Sequence, residues 1–216
     1  MQYKKTKINL VLFFTMITST LQLYSQTNTD PFLYSKFDSI VGKENIGLNN
    51  GPYAYNPYKV VGDYTMFFKN DKFSIGTVVY TNQPYHNIKL KYDVYKDQLI
   101  LNPAEKQEYI GITLIKDKID SFSIYGKNFV NLRKTQPEIV EFQAGFHELI
   151  NVGSNFQLYI RHHKDIQKRI NDEGVNYKFT PNNKYFIDYN FTFYEVNSKS
   201  SILKIFPVDM QIKTAH

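Results

Sequence analysis

The chain has 216 residues, with 26 Lys+Arg against 20 Asp+Glu, no Cys, no Trp, 18 Tyr and 17 Phe. A hydrophobic fraction of 42% is enough for a packed core and rules against wholesale disorder. The lack of cysteine excludes disulfides, thiolate nucleophiles, Cys-ligated zinc, iron–sulfur clusters and an acylated lipoprotein cysteine. The length suits one domain of about 150–200 residues or two small ones.

Residues 1–25 read as a secretory signal peptide. Lys4, Lys5 and Lys7 precede a mostly apolar run from Ile8 to Leu23, and Tyr24-Ser25-Gln26 follows. A basic start, a short apolar stretch and a small residue before the cut form the export pattern, with cleavage expected after Ser25. A membrane span is the competing reading. Asn9, Thr15, Thr18, Ser19 and Thr20 interrupt the run, and a span needs about 20 predominantly apolar residues. No later run reaches that length, so no transmembrane helix is expected in the mature chain. Removing the three leader lysines leaves 23 basic against 20 acidic residues, so the net charge falls from +6 to +3. Localisation is then periplasmic, outer-membrane associated or extracellular, and an exported chain without disulfides must be held by packing alone.

Residues 26–57 read as an irregular N-terminal segment, with turn signals at Asn49-Asn50-Gly51-Pro52 and Asn56-Pro57. A short helix is expected over Phe32–Val41. Residues 58–216 read as a single β-rich domain. In Ile88-Lys89-Leu90-Lys91-Tyr92-Asp93-Val94 the apolar residues alternate with Lys, Lys and Asp. Successive strand side chains point to opposite faces, so this is a half-buried antiparallel strand. It turns at Lys96-Asp97 into Leu99-Ile100-Leu101.

The pattern repeats along the chain. Ile112–Ile115 turns at Asp117-Lys118 into Ile119–Tyr125, and Gly126-Lys127-Asn128 leads to Phe129–Leu132. Phe142–Val152 turns at Gly153-Ser154 into Phe156–Ile160, and Val175–Thr180 turns at Asn182-Asn183 into Tyr185–Ile187, with Phe191–Val196 after it. Gly, Asn and Asp suit such corners because they tolerate positive φ. Lys164–Asn171 is either a strand extension or a helical turn. Ser198 caps a short helix running to Phe206, where Pro207 stops it. The expected fold is mostly β: an antiparallel meander of about 10–12 strands forming a sandwich or barrel, with a short C-terminal helix.

Several of these segments share a resemblance. Pro84-Tyr85, Ile88 to Tyr95 and Asp97-Gln98-Leu99-Ile100-Leu101 are followed by Ile119-Asp120-Ser121-Phe122 and Phe129-Val130-Asn131-Leu132. Gly145-Phe146-His147-Glu148-Leu149 and Leu158-Tyr159-Ile160-Arg161 continue the series. Together they resemble a family of exported β-rich proteins of Gram-negative bacteria whose activity is uncharacterised. The resemblance implies export and a β-rich fold, and it brings no catalytic residue.

Chemistry-bearing motifs are sparse. The chain lacks a P-loop, a G-x-G-x-x-G and a G-x-S-x-G elbow. Ser201-Ile202-Leu203-Lys204 has S-x-x-K spacing without the accompanying S-D-N or K-T-G, which reads as the C-terminal helix. His147-Glu148 begins like a zinc-protease helix, but Asn151 stands where the second histidine belongs. His162 and His163 are adjacent and on a strand would face opposite sides; His86 and His216 stand apart. The carboxylates Asp93, Asp97, Glu105, Glu108, Asp117, Asp120, Glu138 and Glu141 are scattered. Asp38-Ser39-Ile40 matches a short bacterial O-glycosylation pattern, and Asn190-Phe191-Thr192 is a sequon.

The aromatic excess has two readings: a stacking platform for sugars or an apolar cavity in a barrel mouth, and plain strand-forming material. The latter fits the Lys, Asn, Ile, Phe and Tyr bias of the whole composition. With three Arg and no basic run, nucleic acid is not an expected partner. The reading is an exported, non-enzymatic envelope protein without cofactor or metal, its partner an envelope protein, a glycan or an apolar ligand. The alternatives are a small outer-membrane β-barrel and a hydrolase with a dispersed site; no catalytic residue is assigned.

Overall fold

The computed structural model describes residue 36 and residues 47–103, 109–135, 144–151, 156–172, 174–190 and 192–206. The leader, the Asp38-Ser39-Ile40 pattern, the Gly153-Ser154 turn and, apart from Lys36, the helix expected over Phe32–Val41 lie outside these residues.

Twelve strands occur among the described residues: β1 Ser74–Tyr80, β2 Gln83–Asp93, β3 Gln98–Asn102, β4 Ile112–Thr113, β5 Ile119–Ile124, β6 Lys127–Asn131, β7 Phe146–Asn151, β8 Phe156–Arg161, β9 Lys164–Asn171, β10 Gly174–Pro181, β11 Lys184–Tyr189 and β12 Thr192–Val196. Short 3-10 turns span Gly47–Asn50 and Lys116–Lys118, and the helices are α1 Leu132–Thr135 and α2 Lys199–Leu203. The fold is antiparallel and mostly β, as the alternation predicts, with α2 near the C-terminus.

Ten strands form one sheet in the order β12-β11-β8-β7-β6-β5-β1-β2-β3-β4. The remaining two, β9 and β10, pair with each other in a separate hairpin. The alternation of β2 does what the sequence requires. Leu90 lies opposite Leu101 and Tyr92 opposite Leu99 on one face, while Lys91 lies opposite Ile100 and Asp93 opposite Gln98 on the other. The β1–β2 hairpin turns through Thr81 and Asn82, both with positive φ of 55° and 63°, the backbone that matches the twist of two-residue hairpins. A β-branched residue is costly there, and turn composition gives no hint of it.

The inner face is curled. Three strands separate β2 from β7, which in a flat sheet would hold them about 19 Å apart at the usual inter-strand spacing. The rings of Tyr92 and Phe146 are nonetheless centred 5.9 Å apart. Phe122 and Phe129 stack between them at 4.6 Å, and Tyr92 meets both edge-on. The curl is therefore filled by aromatic side chains together with Val78, Leu90, Leu99, Leu101, Ile119 and Ile124. The turn after β2 reaches the start of β7: Tyr92 donates its hydroxyl to Asp97 at 2.7 Å, and Asp97 also accepts from Lys116 Nζ and, more weakly, from the Phe146 amide at 3.4 Å. Gly145 sits beside this carboxylate at φ +123°, where a Cβ would come within 2.3 Å of Asp97 Oδ2. The sheet does not close into a barrel.

Two hairpins expected from consecutive segments do not form. Ile112–Thr113 pairs with β3, and Ile119–Ile124 pairs with β1 and β6. Likewise β10 pairs with β9, while β11 pairs with β8 and β12. Turn residues mark where the chain reverses, but they do not say which strand it meets next. Lys164–Asn171, whose sequence allows a strand extension or a helical turn, is strand β9.

The described part of the N-terminal segment is irregular but tied in. Leu48 joins the inner core. Ala54 donates to the Gly111 carbonyl and Thr113 to that of Pro52, both at 2.8 Å, which covers the β4 edge. A few residues on, Val61 and Tyr177 bond through the backbone at 3.1 Å, joining the segment to β10. Lys164 of β9 donates Nζ to the carbonyls of Thr65 at 2.7 Å and Phe67 at 2.6 Å. A second cluster of Met66, Phe67, Ile100 and Phe179 packs where the hairpin meets the outer face of β3. At the far end of the sheet, α2 contributes Ile202 to a cluster with Ile187, Val196 and Phe206.

Candidate functional site

An open groove of about 680 Å³ lies over the outer face of β2, β3 and β4, within the ~300–1,000 Å³ typical of small-molecule sites. Its floor is the polar side of the alternating strands: Lys89, Lys91, Asp93, Gln98, Ile100 and Thr113. One wall is the stretch before β1, with Phe67, Asp71, Lys72 and Phe73; the other holds Tyr55, Asn56 and Tyr109. Gly111 lets the walls approach, since a Cβ there would lie 2.5 Å from Ile100 Cγ2 and 3.3 Å from the Phe73 ring.

The charges in the groove divide into two groups. Lys91 is fixed: its Nζ contacts Asp71 Oδ1 at 2.6 Å and lies 4.3 Å from the Phe67 ring centre and 4.6 Å from that of Phe73. It clips the wall to the floor by an ion pair and two cation–π contacts. Asp93 is fixed as well. Its Oδ1 accepts the amides of Tyr95 at 3.0 Å and Lys96 at 2.9 Å, holding the β2–β3 turn. Burial pushes its carboxyl above the usual range, and those amides with the Lys96 charge oppose the rise. Lys72 and Lys89 are exposed, and no partner for either ammonium occurs among the described residues. Lys96 reaches the Tyr55 carbonyl at 3.3 Å. Tyr55 and Tyr109, which line the groove, are 77% and 80% exposed. Among the described residues, both acids of the groove thus have structural partners, while Lys72, Lys89 and Lys96 are exposed alongside Tyr55 and Tyr109.

The histidines and most scattered acids do not converge here. Among the described residues no group of three His, Asp or Glu side chains is arranged to hold a metal ion. His147 and Glu148 are neighbours on β7, so their side chains leave on opposite faces. Glu148 is buried between Lys127 Nζ and His162 Nε2, each 2.7 Å away. Burial raises its carboxyl, but these two hydrogen bonds outweigh that and hold it below the usual range. His162 packs edge-on to Phe68 at 4.7 Å and has Asn183 as a second hydrogen-bonding neighbour. Burial lowers its pKa, and Glu148 opposes the drop. His163 turns elsewhere, toward Asp165 and the Tyr95 ring. His147 is fully buried: Nδ1 meets the Gly145 carbonyl at 3.2 Å, and Nε2 has no hydrogen-bond partner among the described residues. Burial depresses its pKa from 6.5 to about 4.

Turn and cap roles absorb other candidates. Asp97 occupies a positive-φ corner, Asp117 lies in a 3-10 turn, and Asp120 accepts the Asn82 amide at 2.9 Å. Ser201 Oγ donates to the Ser198 carbonyl at 2.7 Å within the capping box of α2, so the S-x-x-K spacing is helix-cap chemistry. Glu105, Glu108, Glu138, Glu141 and His216 lie outside the described residues.

Sequence reasoning marked Lys89, Lys91 and Asp93 only as the polar side of a strand. It missed Tyr55, Asp71, Lys72, Phe73 and Tyr109 as a set, because they come from separate stretches with no shared spacing. No protein-family profile, no curated protein and no solved structure matches the chain.

Proposed function

We propose that this is an exported, non-enzymatic binding domain of the cell envelope, and that its ligand sits in the groove over β2–β4. The carrying observation is the division of groups in that groove. Asp71 and Asp93 are held by Lys91 and by turn amides, while the ammoniums of Lys72 and Lys89, without a partner among the described residues, and the exposed Tyr55 and Tyr109 are left to a ligand. Such a set suits recognition; glycoside hydrolysis asks for two carboxyls free to act across the bond being cut.

The curl of the sheet favours a polar glycan over an apolar ligand, because aromatic side chains occupy the inner face where an apolar guest would go. The open sheet also disfavours the membrane-barrel alternative, since edges are not tolerated in hydrocarbon. Export rests on the leader pattern of residues 1–25.

Two measurements test this reading. Expression of the full chain in a Gram-negative host, followed by fractionation and N-terminal sequencing, should find a chain beginning at Gln26 in the envelope fraction. Native mass spectrometry against an envelope polysaccharide digest should reveal ligand-bound species that vanish in Tyr55→Ala/Tyr109→Ala. A chain left uncut in the cytoplasm, or binding indifferent to the double variant, refutes it. Turnover abolished by a single carboxylate substitution would establish the hydrolase instead.

A further inference from the structure

We infer that the groove is specific for an acidic saccharide, a short run of sugar rings carrying carboxylates; this rests on the binding-domain reading. The floor and walls supply what such a ligand needs. Tyr55 and Tyr109 line the groove and are largely exposed, and a tyrosine ring suits the C–H face of a pyranose. Asn56, Gln98 and Thr113 line the same space and carry the donors and acceptors that ring hydroxyls require.

Charge then selects the acid. Lys91 is neutralised by Asp71, and Asp93 is spent on the β2–β3 turn. Lys96 stands beside Asp93 and offsets its charge, so among the described residues the net charge left to face a ligand comes from Lys72 and Lys89. The two ammoniums stand on different elements, the wall before β1 and the floor strand β2, so an anion that engages both must extend from wall to floor. A peptide adding itself as a strand finds no purchase beside the groove, because Pro52 and Ala54 already occupy the β4 edge.

The test is calorimetric titration of the purified protein with trigalacturonate and, in parallel, with its fully methyl-esterified form, which has the same rings without the charge. Uridine monophosphate serves as an anion that lacks the saccharide run. The acid should bind about tenfold more tightly than the ester at low salt, and the preference should fade in 0.5 M (approximately) sodium chloride. Lys72→Gln/Lys89→Gln should abolish the preference while leaving ester binding in place. Tyr55→Ala/Tyr109→Ala should weaken both. All four side chains are exposed, and an unchanged thermal melt shows that each variant is folded. Equal affinity for acid and ester would overturn the acidic specificity and leave the binding-domain reading standing. Binding of neither trisaccharide, or tighter binding of the nucleotide, would overturn the saccharide assignment. Loss of all groove-dependent ligands in the envelope digest is the separate result that removes the parent reading.

Discussion

Lowering the pH should destabilise this protein, with one buried imidazole as a main proton sink. His147 is fully buried on β7, with Nδ1 on the Gly145 carbonyl and Nε2 without a partner among the described residues. Burial is the main cause of its depressed pKa, Arg161 and Lys116 act in the same direction, and Asp97 and the Gly145 carbonyl oppose them. The unfolded chain protonates this ring near 6.5, the folded one near 4. Between those values the unfolded state binds the extra proton, so stability is full above pH ~6.5 and falls as the pH drops toward ~4. At about 1.4 kcal/mol per pH unit the whole gap is worth about 3 kcal/mol, of which about 2 kcal/mol has gone by pH 5. Urea unfolding at pH 7 and pH 5 measures the loss, and His147→Leu removes the group responsible. His162 and Asp93 also titrate differently in the two states, but they do so in both proteins and cancel in the comparison. The native protein should lose about 2 kcal/mol more than the variant between the two pH values. A difference below ~0.5 kcal/mol would mean that the buried ring is not the proton sink and would refute the reasoning.

Three further perturbations probe the frame that positions the groove. Tyr92→Phe deletes the hydroxyl donated to Asp97 and should cost about 1–2 kcal/mol in urea unfolding, with the fold unchanged by near-UV circular dichroism. Lys164→Met removes the ammonium from the Thr65 and Phe67 carbonyls. It should destabilise by about 1–3 kcal/mol and speed amide exchange in β9 and β10 before the main sheet. Gly76→Ala would place a Cβ 2.2 Å from the Ser123 carbonyl oxygen. Because backbone cannot yield as a side chain can, a loss above about 3 kcal/mol is expected, and an unaltered melting temperature would contradict the tight β1–β5 approach.

Much of the fold is legible in the chain. The alternation of Ile88–Val94 sets a strand with one buried face because side-chain direction reverses at every residue. Ser198 announces α2 because its hydroxyl accepts the Ser201 amide. Asp97 marks a corner because it tolerates positive φ. Strand β1 was not singled out, since Thr81 is a poor residue for the turn it makes. Lys164 reads as one charge in a mixed basic and acidic surface, yet it is half-buried against two carbonyls from a stretch about 100 residues away.

Strand periodicity, the polar faces, the capping signal and the chemistry that the composition forbids can all be read from the chain. All of these are local, fixed by backbone geometry and by which atoms are present. Which strands meet is set by tertiary packing, because pairing depends on side chains distant in sequence filling one space. β1 lies between β5 and β2, β10 leaves the sheet, and the aromatic residues that fill the curl come from four strands. The groove follows from the same long-range packing. Lys89 is merely a polar strand residue until Tyr55, Lys72 and Tyr109 are brought over it, and no local rule draws those residues together.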